Sequence, residues 1–511
     1  MKGQSVAPGI GDIYSVYSPK LRKYVACQVT ALKENIERKG QQMAAVLELD
    51  WSGDALPQAS DLAAMHPLLV DFFFRRDKHE HVYVIAEVPA AYTLVGNIAP
   101  LVLDDTTTYG HWNTGETLYH QQQWEQIDVA RRQRFKAASG DVEVTIGGHV
   151  LRQDTNRIED NVLQSVTDLA ELDQLPCLTK IHTEHGSQAL LDYVNQHPFI
   201  TELLWRSPQV TELDLRDSRL SRLSIDVTGV SKVHLNDDLM HLILRGEPSP
   251  QLQLHCSDEG RALYLTCKGD VKPFAGLDHL GGLTLYAAKE IDLETVVARF
   301  PDLWFLDLGG KPGIVSNLSA IAALAQLQML SLHDLFGYTA EQFPAPQQLR
   351  RLSTLWLSSV PFDVAQNVKK GYKKAAALGL DLSVTQPRKS EWLAENLDNP
   401  FRDWDGREEI TPAKAKKATT AYKALLSATR SINASMTADA VQLALSAMVT
   451  AYVATFNQID QRGSVIGTIE CEEIHEALAG CLNALVVRMG EHGALVDMDG
   501  LLDLFDELRD F

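Results

Sequence analysis

An α+β multidomain fold is predicted by three observations: period-two apolar alternation near the start of the chain, a stepped Leu-x-Leu motif through its middle, and helical apolar spacing over its last quarter. At 511 residues the chain is too long for one core, and 45% apolar with 22% charged residues suits several. The patterns place a small β domain at residues 1–116, a helical and hairpin connector at 117–160, the repeats at 161–385 and a helical domain at 386–511.

In the first part, IYSVYSPKLRKYVACQV and HVYVIAEV alternate, with breaks at Ser18-Pro19, Gly53 and Pro89, which predicts a small, strongly bent β domain. Residues 117–139 read as one polar helix ended by Gly140, followed by a hairpin-like stretch to Arg152. Both are expected to be connectors.

The middle carries the strongest pattern. Leu-x-Leu or a near match recurs at Leu223, Leu242, Leu263, Leu283, Leu306, Leu330, Leu355 and Leu380, in steps of 19, 21, 20, 23, 24, 25 and 25 residues. That is the spacing of a leucine-rich-repeat α/β solenoid. A second set at Leu213, Val233 and Leu252 gives the early coils strands on both sides, while LETVVARF and LSAIAALAQL give later coils convex helices. If the leucines point inward, alternation turns the residues between and after them to the concave face. Arg245, Tyr264, Tyr286, Asp307, His333, Trp356 and Asp381 are the candidate partner-binding residues, accompanied by Ile243, Thr266, Thr284, Ser331 and Ser358. Aromatic residues with an Arg and a few acids are what protein-binding surfaces concentrate.

Beyond Gln386, apolar residues at helical spacing predict about four helices, the last acidic outside and Leu/Phe inside. The segment NPFRDWDGREEITPAK from Asn399 reads as a hinge: Asp405-Gly406 is a turn, Thr411 a helix cap, Pro412 a first helical residue, and Phe401 and Trp404 anchors pinning the linker onto the solenoid end. LALSAMVTAYVATF, Leu443–Phe456, falls short of the roughly 18 residues that span a bilayer and is expected to be a buried helix.

Chemistry is sparse. A formal charge of −20 repels phosphate backbones, and the nearest basic run, Arg131–Lys136, reads as one helix face. MKGQSVAPGIGD has no apolar core of an export signal, and six cysteines without a C-x-x-C pair suit reduced thiols in a cytoplasm. Phosphate-loop, nucleophile-elbow and complete calcium-loop motifs are absent, and GGKPG at Gly309 reads as a turn after a repeat strand. Three pairs have metal-like spacing without a third ligand: His79 with His81 on one strand side, His182 with His185 at helical spacing, and Glu472 with His475. No cofactor or metal is predicted.

RKSEWLAENLDNPFRDWDGREEI, the Ala/Lys helix after it and FNQIDQRGSVIGTIECEEIHEAL, together with the repeats, resemble bacterial leucine-rich-repeat proteins of the gliding-motility-like type. GIGDIYSVYSPKLRKYVACQVT is similar to the opening strands of the immunity protein 26 family, whose members are predicted to neutralise polymorphic toxins. The resemblances imply a cytoplasmic bacterial protein that works by binding another protein, and the immunity-family likeness suggests a toxin domain as that partner; the charge argues against nucleic acid, the short apolar run against a membrane, and the missing motifs against an enzyme. The acidic balance suits a basic partner. Two rivals stand beside this reading: a metal-dependent enzyme using Glu472, Glu473 and His475, and a self-assembling scaffold.

Overall fold

The computed structural model describes residues 7–36, 40–396, 398–433, 436–461 and 465–511; residues 1–6, part of the stretch read for an export signal, lie outside them. The chain splits into two compact units, Met1–Ser257 with Pro273–Gly276, and Asp258–Lys272 with Leu277–Phe511.

In the first unit, the alternating segments form a five-stranded antiparallel sheet. Strands β1 (Asp12–Ser18), β2 (Lys23–Glu34), β3 (Gln42–Gly53), β4 (His81–Ile85) and β5 (Thr93–Asn97) lie in the order β4-β3-β2-β1-β5. Register shifts between Val25 and Cys27 and between Val29 and Ala31 bend the long β2–β3 pair. The single helix expected over 117–139 is two, α1 (Glu116–Glu125) and α2 (Val129–Ala137), because the Asp128 side chain accepts the Arg131 N–H and starts a new helix. Buried Glu48 of β3 accepts the N–H groups of Gly115 (2.8 Å) and Leu118 (3.1 Å), capping α1 from the sheet. The hairpin forms as expected, Glu143–Ile146 against His149–Arg152, with Gly147 and Gly148 supplying φ of +52° and +82°.

The Leu-x-Leu segments form parallel strands that pair in chain order within each unit: β6 (Arg157–Ile158), β7 (Lys180–Gly186), β8 (Glu202–Pro208), β9 (Arg222–Asp226) and β10 (His241–Arg245) in the first; β11 (Tyr264–Lys268), β12 (Gly282–Asp292), β13 (Phe305–Ser316), β14 (Met329–Phe336), β15 (Thr354–Ser358) and β16 (Asp381–Thr385) in the second. Leu203, Leu223 and Leu242 stand in register in the first group, and Leu265, Leu283, Leu306, Leu330, Leu355 and Leu382 in the second. The sequence anchors at Leu263 and Leu380 were therefore two residues early. Both motifs offer Leu at i and i+2, and alternation alone cannot say which comes first. The same slip occurs in the second set, where Glu212–Asp214, Lys232–His234 and Gln253–His255 form a three-stranded parallel sheet with Leu254, not Leu252, beside Val233.

Six of the strands carry the same left-handed turn after their inward pair. Two residues beyond the second inward side chain stand Gly246, Gly269, Ala287, Asp334, Ser359 and Gln386, with φ between +46° and +76°. LETVVARF forms α3 (Leu293–Arg299) as expected, whereas LSAIAALAQL gives only a 3-10 turn, Leu318–Ala323. GGKPG is not a turn. It lies inside β13, where the register is irregular between Gly309 and Gly313, and a Cβ on Gly310 would sit 2.2 Å from the Asp334 carbonyl.

Beyond a short helix at Ser390–Asn396, the C-terminal region has, among the described residues, the four expected helices: α4 (Pro412–Ser431), α5 (Ala438–Asp460), α6 (Thr468–Met489) and α7 (Met498–Leu508). Thr411 caps α4, with Pro412 as its first residue. Helix α5 is longer than the apolar run within it, so the length argument against a membrane span fails. Over 18 residues its mean hydropathy is 1.3, enough by length and composition to cross a bilayer. Val441, Leu445, Val449, Tyr452, Val453, Phe456 and Ile459 nonetheless bury one face of it in the helical core.

Candidate protein-binding face and helical-domain cavity

Period-two geometry divides each parallel strand between buried leucines and an opposite face, and the register sorts the candidate residues into three rows. Tyr264 and Asp381 share the first row with Phe305 and Met329; Asp307 and Trp356 share the second with Thr266, Thr284 and Ser331; Tyr286 and His333 share the third with Ser358. Arg245 and Ile243 occupy the corresponding face of β10 in the first unit. The candidates thus lie on one side of the strands, as alternation requires, but not in a single line.

Their surroundings differ. Tyr286 is 37% and Trp356 44% exposed. The Trp356 indole N–H donates to Asp381 at 3.1 Å, which orients both side chains. Tyr264 is a packing residue, edge-on to Trp304 and Phe305 with ring centroids 5.1 Å away, and its ring fills the space a Gly282 side chain would need. Arg245 donates to Ser224 at 3.0 Å.

The linker after the last strand is a rigid tie, contrary to the hinge expectation. Phe401 and Trp404 do not pin it to the repeats. They are fully buried in the helical core, against each other (4.9 Å) and Phe456 (5.3 and 5.9 Å), and the Trp404 N–H donates to Glu473 at 2.8 Å. The charges between them face the other way. Arg402 donates through Nε to wholly buried Asp334 at 2.8 Å, while Arg388 holds Asp405 with two bonds of 2.8 and 2.9 Å and reaches Ser359, which donates to Asp334. Asp334, inside β14, and Ser359, just after β15, are the left-handed residues that follow the leucine pairs of those strands. Burial and the Asp334 carboxylate push the neighbouring Asp403 carboxyl up. Sequence reasoning ranked the aromatics and missed the ion network, because its partner acids lie 68 and 17 residues from the arginines.

A second candidate is a cavity of about 690 Å³ in the helical domain, lined by Cys471, Glu472, His475, Phe505, Arg509 and Phe511 among others. It separates the proposed metal ligands. Glu472 and His475 reach the cavity, with His475 edge-on to Phe505, whereas Glu473 is bound by Arg407 at 2.6 Å and by Trp404. The other pairs also part: His81 meets Thr30 at 2.7 Å while His79 meets the Leu68 carbonyl, and His182 lies on a strand rather than a helix, 2.9 Å from Glu202. Among the described residues no group of three or more His, Cys, Asp or Glu could hold a metal ion. The six cysteines are free thiols.

No protein-family model matches the chain, and no curated protein matches it.

Proposed function

We propose that the chain is a non-enzymatic protein-binding protein whose central strands are coils of a leucine-rich solenoid, and that the face carrying Tyr286, Asp307, His333, Trp356 and Asp381 grips a polypeptide. The solenoid reading is supported by the register of buried leucines across successive parallel strands and by the left-handed residue that follows the inward pair in six of them. The observation that carries the binding reading is the half-exposed pair Tyr286 and Trp356, held among small polar neighbours on a rigid strand face. Such rings contribute about 2 kcal/mol each when a partner covers them. The net charge of −20 favours a basic partner, and likeness of the first strands to toxin-neutralising immunity proteins makes a cytoplasmic toxin domain the class of choice.

Affinity purification from the native host tests the assignment, comparing the wild type with the Tyr286→Ala, Trp356→Ala double variant by quantitative mass spectrometry. Tyr264 stays unchanged, because its ring packs inside the strand face. A co-purifying protein should drop at least about tenfold in the variant while the melting curve holds. If every co-purifying protein persists, the binding face lies elsewhere.

A further inference from the structure

In the first unit a separate cavity of about 260 Å³ opens between α1, the Phe72–Phe73 turn and the early parallel strands. Aromatic rings form its walls: Phe72 lies 5.7 Å from His120, and Phe73 5.6 Å from Trp124, centroid to centroid. Phe73 takes φ of +50°, a conformation bulky side chains rarely adopt, to seat its ring there. Polar groups of both kinds line the same space. Asp238 accepts the Tyr119 hydroxyl and lies 3.7 Å from Arg219, which also donates to Gln123. Trp124 is 2% exposed, and its Nε1–H has no acceptor among the described residues. A buried donor left in that state is costly, and a ligand acceptor would satisfy it.

We propose that this cavity binds a planar, uncharged bicyclic heteroaromatic molecule, the class of the purine and pterin rings. Flat rings suit the aromatic walls, and a heterocycle edge with donors and acceptors matches the indole N–H, the Asp238 carboxylate and the Arg219 guanidinium. Size and charge narrow the class. The volume lies just below the roughly 300 Å³ at which pockets for drug-sized ligands begin. The lining guanidinium is offset by Asp238, so nothing here cradles a polyphosphate. Burial holds His120 below the ordinary histidine range, leaving a neutral imidazole at pH 7 as a further donor or acceptor.

Isothermal titration of the full chain with adenine, hypoxanthine and pterin tests this, with ATP as the size control. At least one ring compound should bind at a single site with Kd below about 1 mM. Trp124→Phe, which keeps a ring and removes the donor, and Asp238→Asn, which keeps the shape and changes the charge, should each weaken it about tenfold or more. Asp238→Asn should melt like the wild type, so that its loss of binding reads the site and not the fold. Three results would overturn the proposal: no binding of any ring probe, binding untouched in both variants, or ATP binding more tightly than adenine.

Discussion

The two groups of parallel strands share a buried leucine ladder but present different outer faces. On β7–β10 several outward side chains are already tied to one another: Lys180 lies 3.4 Å and His182 2.9 Å from Glu202, Arg206 lies 3.0 Å from Glu184, and Arg245 donates to Ser224. On β11–β16 the same positions carry Tyr286, Trp356, Thr266, Thr284, Ser331 and Ser358, with Lys268, Asp307, His333 and Asp381 among them. A surface of satisfied ion pairs must be desolvated before a partner can use it, at a cost that offsets much of the gain. Aromatic and small polar groups release water without that cost, and they outnumber the charged groups on the later face. The difference places the proposed grip on the later strands.

The ends of the strands differ too. The later group is fastened from within by the Asp334–Arg402 pair, and this supplies the largest expected effect. Arg402→Ala leaves Asp334 charged and buried without its partner, which should destabilise by about 3–5 kcal/mol. Region-resolved hydrogen exchange should show the loss across β13–β16, with β7–β10 retaining their protection; equal loss in both groups would erase the distinction drawn between them.

A smaller effect sharpens the contrast at the left-handed position. The leucine pair of β10 is followed by Gly246, where a Cβ would lie 2.0 Å from Asp226, whereas the pair of β12 is followed by Ala287 at φ +53°, inside that longer strand. Gly246→Ala should cost more than about 1 kcal/mol, and Ala287→Gly should be neutral or stabilising by up to about 1 kcal/mol, in urea melts. The same sign at both sites would mean the two strand ends are not equivalent.

The smallest effect concerns the paired face. Burial raises the Glu202 carboxyl, but the hydrogen bond from His182 and the nearby Lys180 outweigh it, so the net shift is downward. A lowered carboxylate stabilises the fold above its unfolded pKa and loses that contribution as pH falls through the folded value. As pH falls below about 4.5 the wild type should therefore lose a few tenths of a kcal/mol that Glu202→Gln lacks, the modest size following from solvent screening at an accessible pair. Identical acid limbs for both proteins would remove any energetic role for the pairing.

Much of this was legible in the chain. Alternation located the N-terminal strands, helical spacing located α4–α7, and Leu-x-Leu placed the parallel strands and their inward side. The errors have specific causes. Leu263 and Leu380 were misregistered because adjacent turns of one motif are indistinguishable by parity. Phe401 and Trp404 were assigned to the wrong neighbour because an apolar ring in a linker reveals that it is buried, not in which core. The unit 1 cavity was invisible, since Phe72, Trp124, Arg219 and Asp238 are scattered over 167 residues of sequence.

By itself the sequence determined which side of each strand is apolar, where helices begin and which residues are candidates for the outer face, because all of these follow from short-range periodicity and capping. Tertiary structure alone decided which leucine meets which, which arginine is buried against Asp334, and which of the outward residues remain accessible. Those outcomes depend on pairings between residues 20 to 70 positions apart, and hydrogen-bond geometry and the cost of burying an unpaired charge select them only once the chain has packed.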